Sequence, residues 1–168
     1  MNELEKVLSG DSAAAPPAFI LEGIPEEMAH RRVGRAPHSM FQELWHITFW
    51  QQMSLDWVRG IETPFPAHAA AGFPSEADLS EDWDQLRARF FQGNDEVAAL
   101  VRDCLSRDPA LLNAPIRCPS RPGSPTRTMT VREQLESLGA HNHYHFGRIV
   151  LLRQLLGAWP PPSGGYSW

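Results

Sequence analysis

The chain has 168 residues, of which 42% are hydrophobic and 21% are charged. These values exclude a mainly disordered chain and suit one domain with a real core. The formal net charge of -5 argues against a broad basic surface for nucleic acid. No segment approaches the ~20 apolar residues of a membrane span, and the acidic start lacks the order of a signal peptide. Because the chain has only two cysteines, we expect a reduced, cytoplasmic protein.

Proline and glycine residues divide the first half of the chain into separate elements. They predict a short helix near 2–9 and a second helical piece near 14–22, followed by a loop. Ser39 and Gln42 match the capping-box pattern and predict a helix over 39–59 that ends at Gly60. Pro64, Pro66, Gly72 and Pro74 then mark 60–79 as a connecting loop.

In the second half, Ser80 is the predicted N-cap of a helix over 80–106, in which Gly93 and Asn94 favour a kink. The proline-rich segment 107–129 is predicted to be a long irregular connection, and connections of this length are often functional. A second capping box, formed by Thr130 and Glu133, predicts a helix over 130–156.

No segment shows a convincing strand alternation. The predicted fold is therefore all-α, a four-helix bundle with at least two long connections. We expect one domain over 1–168 with a flexible tail over 160–168.

The last predicted helix carries the most informative motif. His141 and His145 are spaced i,i+4 and share one face, so both imidazoles can reach one metal ion. His143 is rotated by roughly 200° and points elsewhere. The face of the pair is predicted to point into the protein, together with the following residues: Gln134, Leu138, Tyr144, Arg148, Leu152, Leu155 and Leu156. The alternative is a buried, hydrogen-bonded or simply packed pair.

Helix 39–59 offers a third nitrogen, from His46. Polar residues give way to apolar ones along its face, which comprises Ser39, Gln42, Glu43, Phe49, Trp50, Met53 and Trp57. Since bundle metal sites are built from facing helices, His46 with His141 and His145 predicts a three-nitrogen site with open positions. Taken alone, His46 is more simply a satisfied core histidine.

Three blocks of the sequence resemble one known family. They are Leu21–Pro25 with Pro37–Ile47, then His141–Ile149, then Leu152–Gly157 with Trp159, Pro160 and Pro161. This pattern is similar to the DinB/YfiT-like superfamily of metalloenzymes, especially its small bacterial members, and it extends from about residue 3 to residue 163. One departure is Arg148, where the family usually has Gln.

The resemblance implies a four-helix bundle, often a homodimer, and a divalent metal, commonly nickel or zinc. Carried over by motif, the ligands are His46, His141 and His145. Some relatives look like transferases or isomerases that use a low-molecular-weight thiol, some look like hydrolases, and many have no known activity. Family membership therefore implies the metal site more directly than it implies the reaction.

Two hypotheses follow. The first is a metal-dependent enzyme acting on a small molecule by hydrolysis or thiol transfer, with Glu43 as an orienting residue or general base and Arg148 as a substrate anchor or a partner of Glu43. The second is a non-catalytic, stress-associated or ligand-binding bundle.

The remaining candidates have simpler interpretations. We expect Cys104 and Cys118 to be inert thiols, and His30, His38 and His68 to be surface groups. Tryptophans 45, 50, 57 and 83 are expected in the core or at an interface. Because the helix over 39–59 is apolar nearly all round, its second face is expected to meet another helix or a dimer partner.

Overall fold

The computed structural model describes residues 2–9 and 14–164. It contains the helices α1 (Glu3–Ser9), α2 (Pro17–Ile20), α3 (Glu26–His30), α4 (Met40–Val58), α5 (Trp83–Arg107) and α6 (Val131–Leu155). Two strands, β1 (Pro115–Cys118) and β2 (Arg127–Thr130), form an antiparallel hairpin. Short 3-10 turns lie at Ala69–Gly72, Asp78–Ser80 and Pro109–Asn113.

The long helices α4, α5 and α6 form most of a bundle, in which α4 packs against both of the others. The fourth position is filled by short N-terminal helices. Of these, α1 contacts α5 and α6, α2 contacts α6, and α3 contacts α4 and α5. The predicted all-α, four-helix fold is thus confirmed, with its fourth helix divided into pieces by Pro16, Gly23 and Pro25.

Both predicted capping boxes are confirmed. At α4, the Ser39 hydroxyl accepts from the backbone amide of Gln42, whose side chain accepts from the Ser39 amide. Thr130 and Glu133 form the same reciprocal pair at α6. Such caps satisfy amides that have no partner inside the helix, and each is worth about 1 kcal/mol.

Three local predictions were wrong. Helix α5 begins later than expected, because the carboxylate of Asp82, rather than Ser80, caps its first amides. Helix α3 lies in a segment predicted as loop, where Glu26 accepts a hydrogen bond from the Trp83 amide. A hairpin occupies part of the predicted irregular connection, since two four-residue strands are too short to show a clear alternation.

The kink predicted at Gly93 and Asn94 stays a prediction, but this point of α5 is contacted by Gln51 of α4. In the orientation that satisfies both neighbours, the Gln51 amide donates to the Phe90 carbonyl and accepts from the Asn94 amide. These two backbone groups would bond to each other in a regular helix. A Cβ at Gly93 would overlap the Gln51 side chain in its present position, so the glycine allows this close approach.

Helix α4 is buried on nearly all sides, as its composition indicated. Its second face, which includes Phe41 and Leu44, packs in an apolar cluster with residues of α5 such as Phe90. Trp57 and Trp83 are fully buried, whereas Trp45 and Trp50 are half-buried.

The last turn of α6 is tied to the N-terminal segment. The buried Arg153 guanidinium donates to the carbonyls of Ala158 and Ile20 at 3.0 and 2.6 Å. In the expected tail, Ser163 donates to Glu22, while residues 165–168 lie outside the described residues.

Candidate metal centre

Helices α4 and α6 bring His46, His141 and His145 together. One nitrogen from each imidazole lies within 4.8 Å of the other two. The Nε2 atoms of His46 and His141 are 3.1 Å apart. Among the described residues, this is the one group of three or more histidine, cysteine or acidic side chains with such spacing.

The tautomer of His46 follows from its partner. Its Nδ1 lies 2.6 Å from the carbonyl oxygen of Gly72, which can only accept, so Nδ1 carries the proton and donates. In the neutral imidazole, the Nε2 lone pair is therefore free and faces the other histidines.

His145 is oriented by a buried carboxylate. Its Nδ1 donates to Glu43 Oε2 at 2.6 Å, and both side chains are almost completely excluded from solvent. A histidine that donates one ring N–H to a carboxylate while its other nitrogen faces an ion is a recurrent arrangement in metal sites.

Arg148 supplies the countercharge for that carboxylate. Its Nη2 lies 2.9 Å from Glu43 Oε1, although the direction of the approach leaves Oε1 without a well-formed hydrogen bond among the described residues. Of the two roles considered for Arg148, the contact with Glu43 is the one present. The guanidinium is 29% exposed and also lies over the ring of Tyr144.

His141 is held more loosely than His145. Its Nδ1 makes one long contact, 3.4 Å, with Asn142 Oδ1. Burial, with a smaller contribution from the neighbouring His145, lowers the pKa of both His46 and His141 to about 4. Both imidazoles are therefore neutral at pH 7, which is the form that binds metals.

The loop between α4 and α5 covers the cluster with an aromatic ring. The ring of Phe73 stacks between two imidazoles. Its centroid lies 4.0 Å from that of His46 and 3.8 Å from that of His38. His38 was expected at the surface, but it is half-buried, and its Nδ1 is buried with no partner among the described residues. His68 is exposed as expected.

The donor set suits a divalent ion. Two imidazole nitrogens that each lie ~2.0–2.1 Å from one ion are about 2.8–3.4 Å apart at octahedral or tetrahedral angles. The 3.1 Å between the Nε2 atoms of His46 and His141 falls in this range. All three residues offer an imidazole nitrogen from two facing helices, as in other bundle metal sites.

The inward face predicted for the last helix was partly wrong. Gln134, Leu138 and Leu152 are buried, but Tyr144 is 63% and Leu155 61% exposed. At about 100° per residue, the two exposed positions lie on the opposite side of His141 from the buried ones. His141 therefore stands at the edge of the buried arc, which places the cluster next to the surface.

The two cysteines behave as expected for inert thiols. Burial raises the pKa of Cys104 and of Cys118, so both stay protonated at pH 7. The Cys118 thiol faces Gln134 Oε1 at 3.6 Å.

Gly72 and Phe73 contact the cluster but were not singled out in the sequence. Both lie in a segment read only as a connection, and a backbone carbonyl leaves no side-chain pattern that would reveal its role. No helix in the described ranges is long and apolar enough to cross a membrane.

The fold and the cluster together define a helical bundle with a three-histidine group able to hold a metal ion. A family model for the DinB superfamily matches residues 18–149, and the chain belongs to that superfamily. A curated relative, Protein EFR3 of Gibberella zeae, is 32% identical over 108 residues. The match covers 61% of this chain, and the chain spans about 9% of the length of that protein.

Proposed function

We propose that this protein is a metal-dependent enzyme that acts on a small molecule, with a divalent nickel or zinc ion held by His46, His141 and His145. The supporting observation is that the Nε2 atoms of His46 and His141 lie 3.1 Å apart, while His46 Nδ1 donates to the Gly72 carbonyl. Two such nitrogens facing each other favour a shared cation between them, and three protein ligands leave positions for other ligands.

A divalent ion held by three imidazoles supplies Lewis-acid chemistry, in that it polarises a carbonyl and lowers the pKa of a water or a thiol. The chain's own residues prepare the site. Glu43 holds the proton on His145 Nδ1 and directs Nε2 toward the cluster. Because that carboxylate is fully buried and already engaged by His145 and Arg148, we assign it an orienting role rather than that of a general base.

The reaction class is hydrolysis or transfer involving a low-molecular-weight thiol. Membership of the DinB superfamily supports both, and the site itself favours neither. We further propose a single-domain, cytoplasmic homodimer, for which the family resemblance is the support. Sedimentation velocity of the purified protein tests the dimer.

The metal site is tested by elemental analysis of protein purified without a histidine tag. We expect about one divalent ion per chain, and its loss in His46→Ala, His141→Ala and His145→Ala. His143→Ala is the matched control, because His143 lies on the same helix but donates to the Gly139 carbonyl. Metal retained in all three site variants, or lost equally in the control, contradicts the proposal.

The enzymatic role is tested with the metal-loaded protein and two panels of substrates. One panel contains electrophiles with a low-molecular-weight thiol, and the other contains small esters and amides. Activity that disappears in His141→Ala and persists in His143→Ala supports an enzyme. Full metal occupancy with no turnover in either panel argues for the alternative.

One observation favours that alternative, a non-catalytic bundle. The Nδ1 of His141 has only a long contact, so its Nε2 can carry the proton and donate to His46 Nε2 at 3.1 Å without any metal. Nitrogen-15 NMR of the histidine rings separates the two states. A protonated Nε2 on His141 that is unchanged by added zinc or nickel identifies a packed pair.

A further inference from the structure

Two adjoining cavities lie beside the histidine cluster, and we call them together the hairpin cleft. The first, of about 210 Å³, has Trp50, Phe65, Arg127, Gln134, Ser137 and His141 among its lining residues. The second, of about 430 Å³, is lined by Phe65, Ser120, Arg121, Ser124, Pro125 and Arg127. Phe65 and Arg127 line both, so the cleft leads from His141 to the tip of the hairpin.

The inner wall of the cleft is aromatic, and its floor is polar. Trp50 and Phe65 pack with ring centroids 5.1 Å apart, and Trp57 stacks near Phe65 at 6.4 Å. Below them, the buried Gln134 donates to the Ser54 hydroxyl at 2.9 Å. An apolar wall with a few convergent polar groups is the usual composition of a small-molecule site.

Arg127 is directed to the cleft by the pairing of the hairpin. In the register of the two strands, Cys118 pairs with Arg127 and Ile116 pairs with Met129. Paired residues and residues two apart share one face of a hairpin. Ile116, Cys118 and Met129 belong to one apolar cluster against α4, and Arg127, the exposed fourth member of that row, lies on the same face of the hairpin at the edge of the cluster.

The charge in the cleft is uncompensated. None of the described residues that line either cavity is acidic. Neither Arg121 nor Arg127 forms an ion pair with any described residue, whereas Arg117, on the outer face of the same hairpin, lies 2.8 Å from Glu62. In a chain with a net charge of -5, two arginines that have no ion pair among the described residues therefore line the cleft beside the histidine cluster.

We infer that the hairpin cleft binds a small organic anion, with an aromatic or aliphatic body against the wall that Trp50 and Phe65 form and its carboxylate or similar group on Arg127. The inference rests on the proposed function only in placing the reacting end of this ligand at His141. It adds to that function a substrate class, namely apolar acids, and a specificity-determining residue, Arg127 of the hairpin. The combined size of the cavities lies in the ~300–1,000 Å³ range of small-molecule sites.

The test compares two probes with the same body, 4-phenylbutanoate and its uncharged primary amide, by calorimetric titration of metal-loaded and metal-free protein. We expect the acid to bind at least about tenfold more tightly than the amide, as a charge-assisted hydrogen bond to a guanidinium provides. Arg127→Ala should remove this preference without changing the metal content. Arg117→Ala, the matched control on the outer face, should keep it.

A blocking variant tests the position of the ligand. Ser137 is an exposed residue of α6 that lines the first cavity, so Ser137→Trp fills the cleft with little effect on the core. We expect both probes to lose binding in this variant. Unchanged binding in Ser137→Trp overturns the proposed location.

Two further outcomes overturn the inference. If Arg127→Ala and Arg117→Ala reduce binding equally, the preference is general electrostatic attraction. If the preference survives Arg127→Ala but disappears when the metal is removed, the carboxylate binds at the histidines instead. The two proposals can also fail separately. If the protein binds no metal but keeps the Arg127-dependent preference for the acid, the proposed function fails and this inference stands.

Discussion

The two histidines of α6 lie one helical turn apart in unlike surroundings. His145 is buried and donates to Glu43, whose charge is balanced by Arg148. His141 is half-buried, its Nδ1 has only one long contact, and it borders a cavity. The side of the cluster around His145 therefore holds a fixed geometry, while the side around His141 is accessible. A site that must bind a ligand repeatedly needs both, because a rigid set of donors has to remain open at some position.

The largest expected effect on the cluster comes from pH. The pKa of His46 and of His141 is about 4 in the folded protein, whereas both titrate near 6.5 when unfolded. Between these values the unfolded chain binds more protons, so the free energy of unfolding of the metal-free protein is highest above pH 6.5 and falls as the pH decreases toward 4. The loss is at most about 3 kcal/mol for each histidine.

Urea unfolding of metal-free protein between pH 7.5 and 4.5 measures this loss. The His46→Gln variant has one such group fewer and should show a shallower dependence on pH, whereas His143→Ala should match the wild type. Equal slopes in His46→Gln and the wild type would show that His46 is not buried in its neutral form.

The next largest effect, on metal affinity, is expected from Glu43→Ala, which acts on the rigid side of the cluster around His145. It leaves His145 Nδ1 without its acceptor and Arg148 without its partner. Loss of such an orienting carboxylate typically costs about 10–100-fold in metal affinity. Competition with a chromophoric chelator measures the affinity, and Glu136→Ala on the exposed face of α6 is the control. An affinity within twofold of the wild type would remove Glu43 from the site.

Arg148→Gln should have a smaller effect that depends on the metal. Without the guanidinium, Glu43 stays buried with no countercharge, so the metal-free protein should lose about 1–2 kcal/mol of stability. A bound divalent cation compensates for the missing charge, and the loss should shrink in the loaded protein. Thermal unfolding of both forms tests this, with Arg132→Gln, whose exposed partner Glu136 is 3.9 Å away, as the control. An equal loss in both forms would contradict the coupling.

The smallest effect is expected on the accessible side. The contact between Asn142 Oδ1 and His141 Nδ1 is 3.4 Å long and therefore weak. Asn142→Ala should lower metal affinity by less than about threefold, measured with the same chelator. A loss as large as that of Glu43→Ala would show that the two sides are held alike, and the comparison between them would fail.

Local signals in the sequence predicted much of this structure. The capping boxes at Ser39 and Thr130 located the starts of α4 and α6, because capping depends on neighbouring residues only. The i,i+4 spacing placed His141 and His145 on one face for the same reason. The start of α5 was misplaced because Ser80 and Asp82 are both good caps, and the choice between them depends on α3 packing against Trp83.

Apart from α3 and the exact start of α5, the helices followed from the sequence, as did the shared face of the two histidines and their match with His46. Each of these depends on periodicity and on short-range hydrogen bonds. The groups around the cluster became visible only in the tertiary structure. They are the Gly72 carbonyl, the Phe73 ring and the row of hairpin residues that ends in Arg127. These groups come from loops and strands too short to carry a pattern, and they reach the cluster only because the packing of α4 against α6 creates the cleft that they border.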